Sequence, residues 1–211
     1  MLTKVKRKFQ ELIDWEAKLT HKAGLKPNVV SALGLFLGFL SGLIYWTAGA
    51  SSTDLNMYKV HLTIAFLLLL FSGFCDVLDG ALARIYGGTS VFGGFLDSLV
   101  DRYVDSSVLT GLILGGLCDL TWGILALIGS LLTSYARARA ESSSVSVESI
   151  GIVERAERII IILISTLIEI AWPSLSALRI GTIILAIASN ITVLQRILYF
   201  YRKTSWAERK S

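Results

Sequence analysis

The sequence predicts an all-α integral membrane protein, with six transmembrane helices preceded by an N-terminal amphipathic juxtamembrane helix. Three observations predict it. Of 211 residues, 54% are hydrophobic and 17% charged, against roughly 25% charged in soluble domains, and the mean hydropathy is +0.65. Apolar segments long enough to cross a bilayer recur along nearly the whole chain, and the polar intervals between them are too short to form a soluble domain. Eighteen of the twenty Lys and Arg residues fall on one side of the resulting topology, as membrane insertion favours.

The elements follow in order. In residues 2–22, Leu2, Val5, Phe9, Leu12 and Leu19 recur at helical spacing among Lys4, Lys6, Lys8, Lys18 and Lys22. A basic amphipathic helix of this kind lies in the anionic headgroup plane. Pro27 then opens the first span, over 28–49, since proline suits a first helical turn. The further spans cover 60–86, 91–117, 121–141, 152–172 and 176–201, with Trp46, Trp122 and Trp172 near span ends, where interfacial aromatics belong. Residues 1–26 thus form the juxtamembrane helix, 27–203 the membrane domain and 204–211 a tail. Lys59 and Arg179 alone lie on the far side, so both termini are expected at the cytoplasmic face of the cell membrane.

Charge and cysteines exclude two readings. The net charge of +4 and pI near 9.1 do not indicate nucleic acid, because the basic residues flank apolar spans. Cys75 and Cys118 fall near opposite faces, far beyond the ~7 Å between Cα atoms that a disulfide tolerates, and are expected to be free. Small residues mark helix contacts: Gly34, Gly38 and Gly42 in the first span, and Gly111 and Gly115 in the third, repeat every four positions and let backbones approach.

The chemistry lies in DVLDGALARIYGGTSVFGGFLDSLVD, residues 76–101. Asp76 and Asp79 share one helix face, as do Asp97 and Asp101. The short segment with Gly87 and Gly88 folds the two spans into a hairpin with both acidic faces opposed. Four opposed carboxylates need cations to offset their repulsion. Oxygen-only donors suit Mg²⁺ or Mn²⁺, and four carboxylates suffice for two ions. Such a pair of ions suits phosphoryl chemistry. Gly80 and Ala83 leave room for a phosphate ligand against the helix, and Arg84 can pair with it bidentately. On residue chemistry alone, a proton or cation pathway, or salt bridges to Arg84 and Arg102, stand level with catalysis.

The spacing D-x2-D-G-x2-A-R-x8-G-x3-D-x3-D is met at Asp76, Asp79, Gly80, Ala83, Arg84, Gly93, Asp97 and Asp101. It resembles the signature of the CDP-alcohol phosphotransferases. The resemblance covers nearly the whole chain, and implies transfer from a CDP-linked donor to an alcohol with release of CMP. It further implies that Asp76, Asp79, Asp97 and Asp101 bind metal, with Asp101 also the general base. Asn28, Ser31, Asp76, Gly80, Arg84 and Ser90 would hold the CDP-lipid, and the chain would form a homodimer. Pro-Asn before a helix is also an ordinary cap, which leaves Asn28 open.

SYARARAESSSVSVESIGIVERAER, residues 134–158, bears on the acceptor. Arginines beside the aspartates suit an acceptor that is itself a phosphate, while topology signals and ion pairs account for the same charges. The pattern resembles the branch making phosphatidylinositol phosphate or its archaeal archaetidyl counterpart. That resemblance implies L-myo-inositol 1-phosphate held by Arg137, Arg155 and Arg196, with CDP-archaeol as the favoured donor. Glycerol 3-phosphate remains an alternative acceptor. A divalent-cation transporter and a non-enzymatic lipid or nucleotide binder remain alternatives of other classes.

Overall fold

The computed structural model describes residues 16, 18, 20, 27–86, 90–147 and 149–208. The juxtamembrane helix expected over 2–22 lies outside these residues except at Glu16, Lys18 and Thr20, which are helical. Gly87, Gly88 and residues 209–211 also lie outside them. The described chain forms α1 (Pro27–Ala50), α2 (Leu55–Ile85), α3 (Val91–Leu114), α4 (Leu120–Glu141), α5 (Arg155–Ala171), a 3-10 turn (Pro173–Leu175) and α6 (Ala177–Glu208). Of these, α1, α2 and α6 are long and apolar enough to cross a membrane by length and composition.

Where the boundaries differ from expectation, capping explains them. Helix α2 begins before residue 60 because Asp54 accepts hydrogen bonds from the N–H groups of Asn56 (2.9 Å) and Met57 (3.2 Å), which starts the helix in polar sequence. Helix α3 stops before residue 117 at the Gly115 cap, and Gly116 takes φ +66°. Helix α5 starts later than residue 152 because Gly151 adopts φ +138°, a conformation open to glycine. The Glu154 N–H then donates to Glu157 Oε2 at 3.0 Å, closing the first turn of α5. Helix α6 runs past residue 203 to Glu208, since no glycine or proline follows Gly181 within it.

Helix α1 packs against α2 and α3, α4 against α6 and α3, and α5 against α6 and α2. The glycine ridges sit at these crossings. A Cβ on Gly38 would come within 2.6 Å of both Val104 methyls, and one on Gly111 would collide with the Gly42 carbonyl. Between the ridges the core is apolar, with Leu62, Leu69, Val104, Val108, Leu112 and Leu185 buried. Large apolar side chains such as Phe36, Phe39, Ile164 and Leu194 face outward, a surface suited to lipid.

Several buried polar groups pair across the bundle, as an apolar environment favours. The Tyr45 and Thr166 hydroxyls lie 2.7 Å apart. Glu169 accepts from the Tyr58 hydroxyl at 3.1 Å and from the Leu178 N–H at the start of α6 at 3.2 Å. These contacts, with the Arg179–Asp119 pair at 3.4 Å, secure the end of the bundle away from the aspartates. Cys75 and Cys118 are free and buried.

Gly111→Ala is expected to lower the unfolding temperature in detergent, reflecting a loss of about 1–3 kcal/mol from overpacking. Gly94→Ala, where a Cβ meets nothing within 4 Å, should leave that temperature unchanged or slightly raised. Equal effects at the two positions would refute the close-packing role of Gly111.

Candidate active site

At one end of the bundle α2 and α4 finish while α1, α3 and α5 begin, and a cavity of about 1000 Å³ opens there. Every candidate metal-, donor- or acceptor-binding residue named from the sequence lines it. Helix α1 contributes Asn28 and Ser31, and α2 contributes Asp76, Asp79, Gly80 and Arg84. Ser90 precedes α3, which adds Asp97 and Asp101, while α4, α5 and α6 supply Arg137, Arg155 and Arg196.

The aspartates do not act as one uniform group of four. Asp76, Asp97 and Asp101 each present a carboxylate oxygen within 4.8 Å of the others. The i, i+4 spacing on α3 and the packing of α2 and α3 each against α1 bring them together; the two helices do not pack directly on one another as the expected hairpin would. All donors in this set are carboxylate oxygens, which fit a hard divalent cation such as Mg²⁺ or Mn²⁺. Asp79 is more deeply buried and accepts a hydrogen bond from the Ser31 hydroxyl. Ser31 therefore orients an aspartate from the neighbouring helix, a pairing across 48 residues that no local pattern reveals.

Arg155 compensates the cluster. Its Nη1 lies 2.6 Å from Asp76 Oδ2 and 2.9 Å from Asp101 Oδ1, so one guanidinium nitrogen joins α2 and α3 to the start of α5. Arg102 adds a second contact, with Nη1 3.2 Å from Asp101 Oδ2. Of the salt bridges weighed as an alternative to catalysis, the one through Arg102 is present, and the shorter contacts come from α5.

The remaining candidates have mixed engagements. Ser90 accepts from the Gly93 N–H at 2.9 Å and so caps α3 while lining the cavity. A Cβ on Gly80 would stand 3.5 Å from Arg84 Nη1, an ordinary van der Waals contact, so Arg84 itself does not require a glycine there. Arg137 pairs with Glu141 at 2.8 Å. Arg196 is 3% exposed, and donates from Nε to the Ile150 carbonyl at 2.8 Å and from Nη1 to the Thr133 carbonyl at 2.6 Å. Its Nη2 lies 3.5 Å from Glu154 Oε1. It therefore ties α6 to α4 and to the segment leading into α5.

Sequence reasoning missed Asp105 and assigned Arg158 no role in the site. Both stand in the ion-pair network: Arg158 Nη2 is 2.7 Å from Asp105 Oδ2. The signal was present, since Asp105 continues the four-residue series Asp97, Asp101.

A sequence model of the family described as CDP-alcohol phosphatidyltransferase matches residues 25–194. The archaetidylinositol phosphate synthase of Pyrococcus horikoshii is 38% identical over 197 residues, covering 93% of this chain and 95% of the relative. The crystal structure of Mycobacterium tuberculosis phosphatidylinositol phosphate synthase with CDP-DAG bound aligns with a TM-score of 0.72 at 30% identity. The match covers 90% of this chain and 94% of that one. The structure of that synthase in complex with manganese and citrate aligns with a TM-score of 0.71 at 30% identity, covering 90% and 88%.

Because the Arg155 guanidinium and a divalent cation would share the same carboxylate oxygens, Arg155→Ala is expected to tighten Mn²⁺ binding, by about three- to thirty-fold, in the range of coupled neighbours. Titration of the purified protein followed by electron paramagnetic resonance measures it. Weaker Mn²⁺ binding would show that Arg155 organises the carboxylates instead of competing for them.

Proposed function

This chain belongs to the CDP-alcohol phosphatidyltransferase family, enzymes of phospholipid biosynthesis, and we propose that it transfers a phosphatidyl-type group from a CDP-activated lipid to L-myo-inositol 1-phosphate. One observation carries the choice of acceptor. The carboxylates of Asp76, Asp97 and Asp101 and the arginines Arg137, Arg155 and Arg196 border one cavity. An acceptor bearing its own phosphate needs fixed cations beside the acidic cluster; serine or free inositol has no such need. The names of the Pyrococcus and Mycobacterium relatives agree with this acceptor. The higher identity to the archaeal relative, 38% against 30%, favours CDP-archaeol as donor.

Asp76, Asp79, Asp97 and Asp101 would hold two divalent ions, Mg²⁺ or Mn²⁺, a reading supported by the manganese complex of the Mycobacterium synthase. Bound there, the ions would neutralise the donor diphosphate and the departing CMP. The chain's own residues do the rest. Arg84, Ser90, Asn28 and Ser31 hold the CDP-lipid, and Gly80 lets its diphosphate approach α2. Arg137, Arg155 and Arg196 fix the acceptor phosphate, which aligns its hydroxyl. Asp101 takes the proton of that hydroxyl as the oxygen attacks the β-phosphorus. The phosphorus–oxygen bond to CMP breaks, and the new bond to the inositol oxygen leaves a phosphodiester.

In this reading all six helices span the membrane and residues 1–26 lie along its surface. The membrane domain is 27–203, followed by the 204–211 tail into which α6 extends. Both termini and the cavity face the cytoplasm, as the distribution of Lys and Arg favours, and two chains form a homodimer. Lipid chains reach the cavity between helices from the cell membrane.

Purified protein with CDP-archaeol or CDP-diacylglycerol, Mg²⁺ or Mn²⁺ and inositol 1-phosphate should release CMP and form the phosphorylated inositol lipid. No CMP with any acceptor would overturn the enzymatic assignment for this chain. CMP with glycerol 3-phosphate but not inositol 1-phosphate would overturn the acceptor alone. Asp101→Asn should cut turnover by about 10²–10⁴-fold, the scale of general base catalysis, while CDP-lipid binding falls much less.

A further inference from the structure

Helices α3 and α5 carry a second charge pair that the catalytic scheme leaves unused. Asp105 stands one turn beyond Asp101, and Arg158 one turn beyond Arg155. Arg158 Nη2 approaches Asp105 Oδ2 at 2.7 Å, and the two side chains are only 6% and 9% exposed. The other oxygen, Asp105 Oδ1, lies 3.9 Å from Arg155 Nε. That nitrogen is buried and has no hydrogen-bond partner among the described residues, so the carboxylate is the anion facing it. Along the two helices the charges alternate: Asp101, Arg155, Asp105, Arg158.

A buried ion pair gives little net stability over apolar side chains of similar volume. What an ordered pair does supply is geometry. Arg155 meets Asp76 and Asp101 through Nη1 alone, while its Nε edge faces Asp105. Remove the charge on that edge and the guanidinium is drawn wholly toward the other two carboxylates, away from any phosphate in the cavity. Arg158 in turn prevents Asp105 from swinging to a full bidentate grip on Arg155.

We propose that Asp105, fixed by Arg158, is a positioning residue that restrains the Nε edge of Arg155 and thereby sets affinity for the phosphorylated acceptor. The proposal rests on the reading above in which Arg155 serves the acceptor phosphate. Asp105 touches neither substrate, and its effect passes through Arg155.

The test is a double-mutant cycle in the full-length protein, using whichever phosphorylated alcohol supports CMP release in the wild type. Asp105→Asn should raise the acceptor KM by about five- to fifty-fold, within the range of coupling between contacting charges, with the CDP-lipid KM changed less than about twofold. In the Arg155→Lys background, which keeps the charge but lacks Nε, the same substitution should leave the acceptor KM nearly unchanged. Asp105→Glu should recover most of the acceptor affinity. If Asp105→Asn does not fold, Asp105→Asn with Arg158→Gln removes both buried charges and replaces it in the cycle. Parallel changes in both KM values, or an equal effect in the two Arg155 backgrounds, would overturn the positioning role. An absence of CMP with every acceptor in the wild type would instead refute the enzymatic reading on which it rests.

Discussion

The contact on which the site depends is that of one guanidinium with two carboxylates, Arg155 with Asp76 and Asp101. Three carboxylates within 4.8 Å repel strongly where the dielectric is low, and a lone cluster at the end of an apolar bundle would not hold together. Arg155 is the first residue of α5, so its reach fixes where α5 must begin relative to α2 and α3. That start is held from α6. Thr192 accepts hydrogen bonds from the N–H groups of Ile152 and Val153 at 3.2 Å, and Arg196 grips the Ile150 carbonyl. The electrostatics of α2 and α3 therefore depend on hydrogen bonds from the side chains of Thr192 and Arg196, on the last helix of the chain, to the backbone ahead of α5.

Glycines divide into two classes by what stands opposite them. Gly38, Gly42 and Gly111 face other helices so closely that no Cβ fits, and their close approach supplies van der Waals contact where lipid removes the hydrophobic advantage of helix association. Gly80 and Gly94 meet no such neighbour and border the cavity. The same residue type thus brings α1 against α3 in the middle of the bundle and keeps α2 away from the contents of the cavity at its end. Both uses were suggested by spacing, but spacing alone does not assign each glycine to its class.

The order and approximate extent of the helices were legible because apolar length and flanking charge are one-dimensional properties. The aspartate cluster was legible for a similar reason, since i, i+3 and i, i+4 relations are determined by the helix itself. Contacts that close across the bundle were not. Nothing near Ser31 in sequence indicates Asp79, and nothing in residues 193–196, VLQR, indicates that Arg196 would bind the Thr133 and Ile150 carbonyls. Asp105 lies between these cases. Its spacing from Asp101 is visible, but only its proximity to Arg155 and Arg158 distinguishes it from a solvated acid.

Arg196 shows how a buried arginine can serve both scaffold and site. Its Nε and Nη1 are held by carbonyls at 2.8 and 2.6 Å, so the plane of the guanidinium is fixed, and five donors in a rigid fork cannot reorient singly. Arg137, about 40% exposed at its side chain, is far more open to solvent. If both contact an acceptor phosphate as proposed, they do so differently. Arg196 defines a direction of approach before the ligand arrives, at no further cost in side-chain order, whereas Arg137 must give up rotamer freedom on binding. In the proposed reading the ligand geometry would be set chiefly by the arginines held by carbonyls and carboxylates, Arg196 and Arg155, and the charge of the more exposed Arg137 would add attraction.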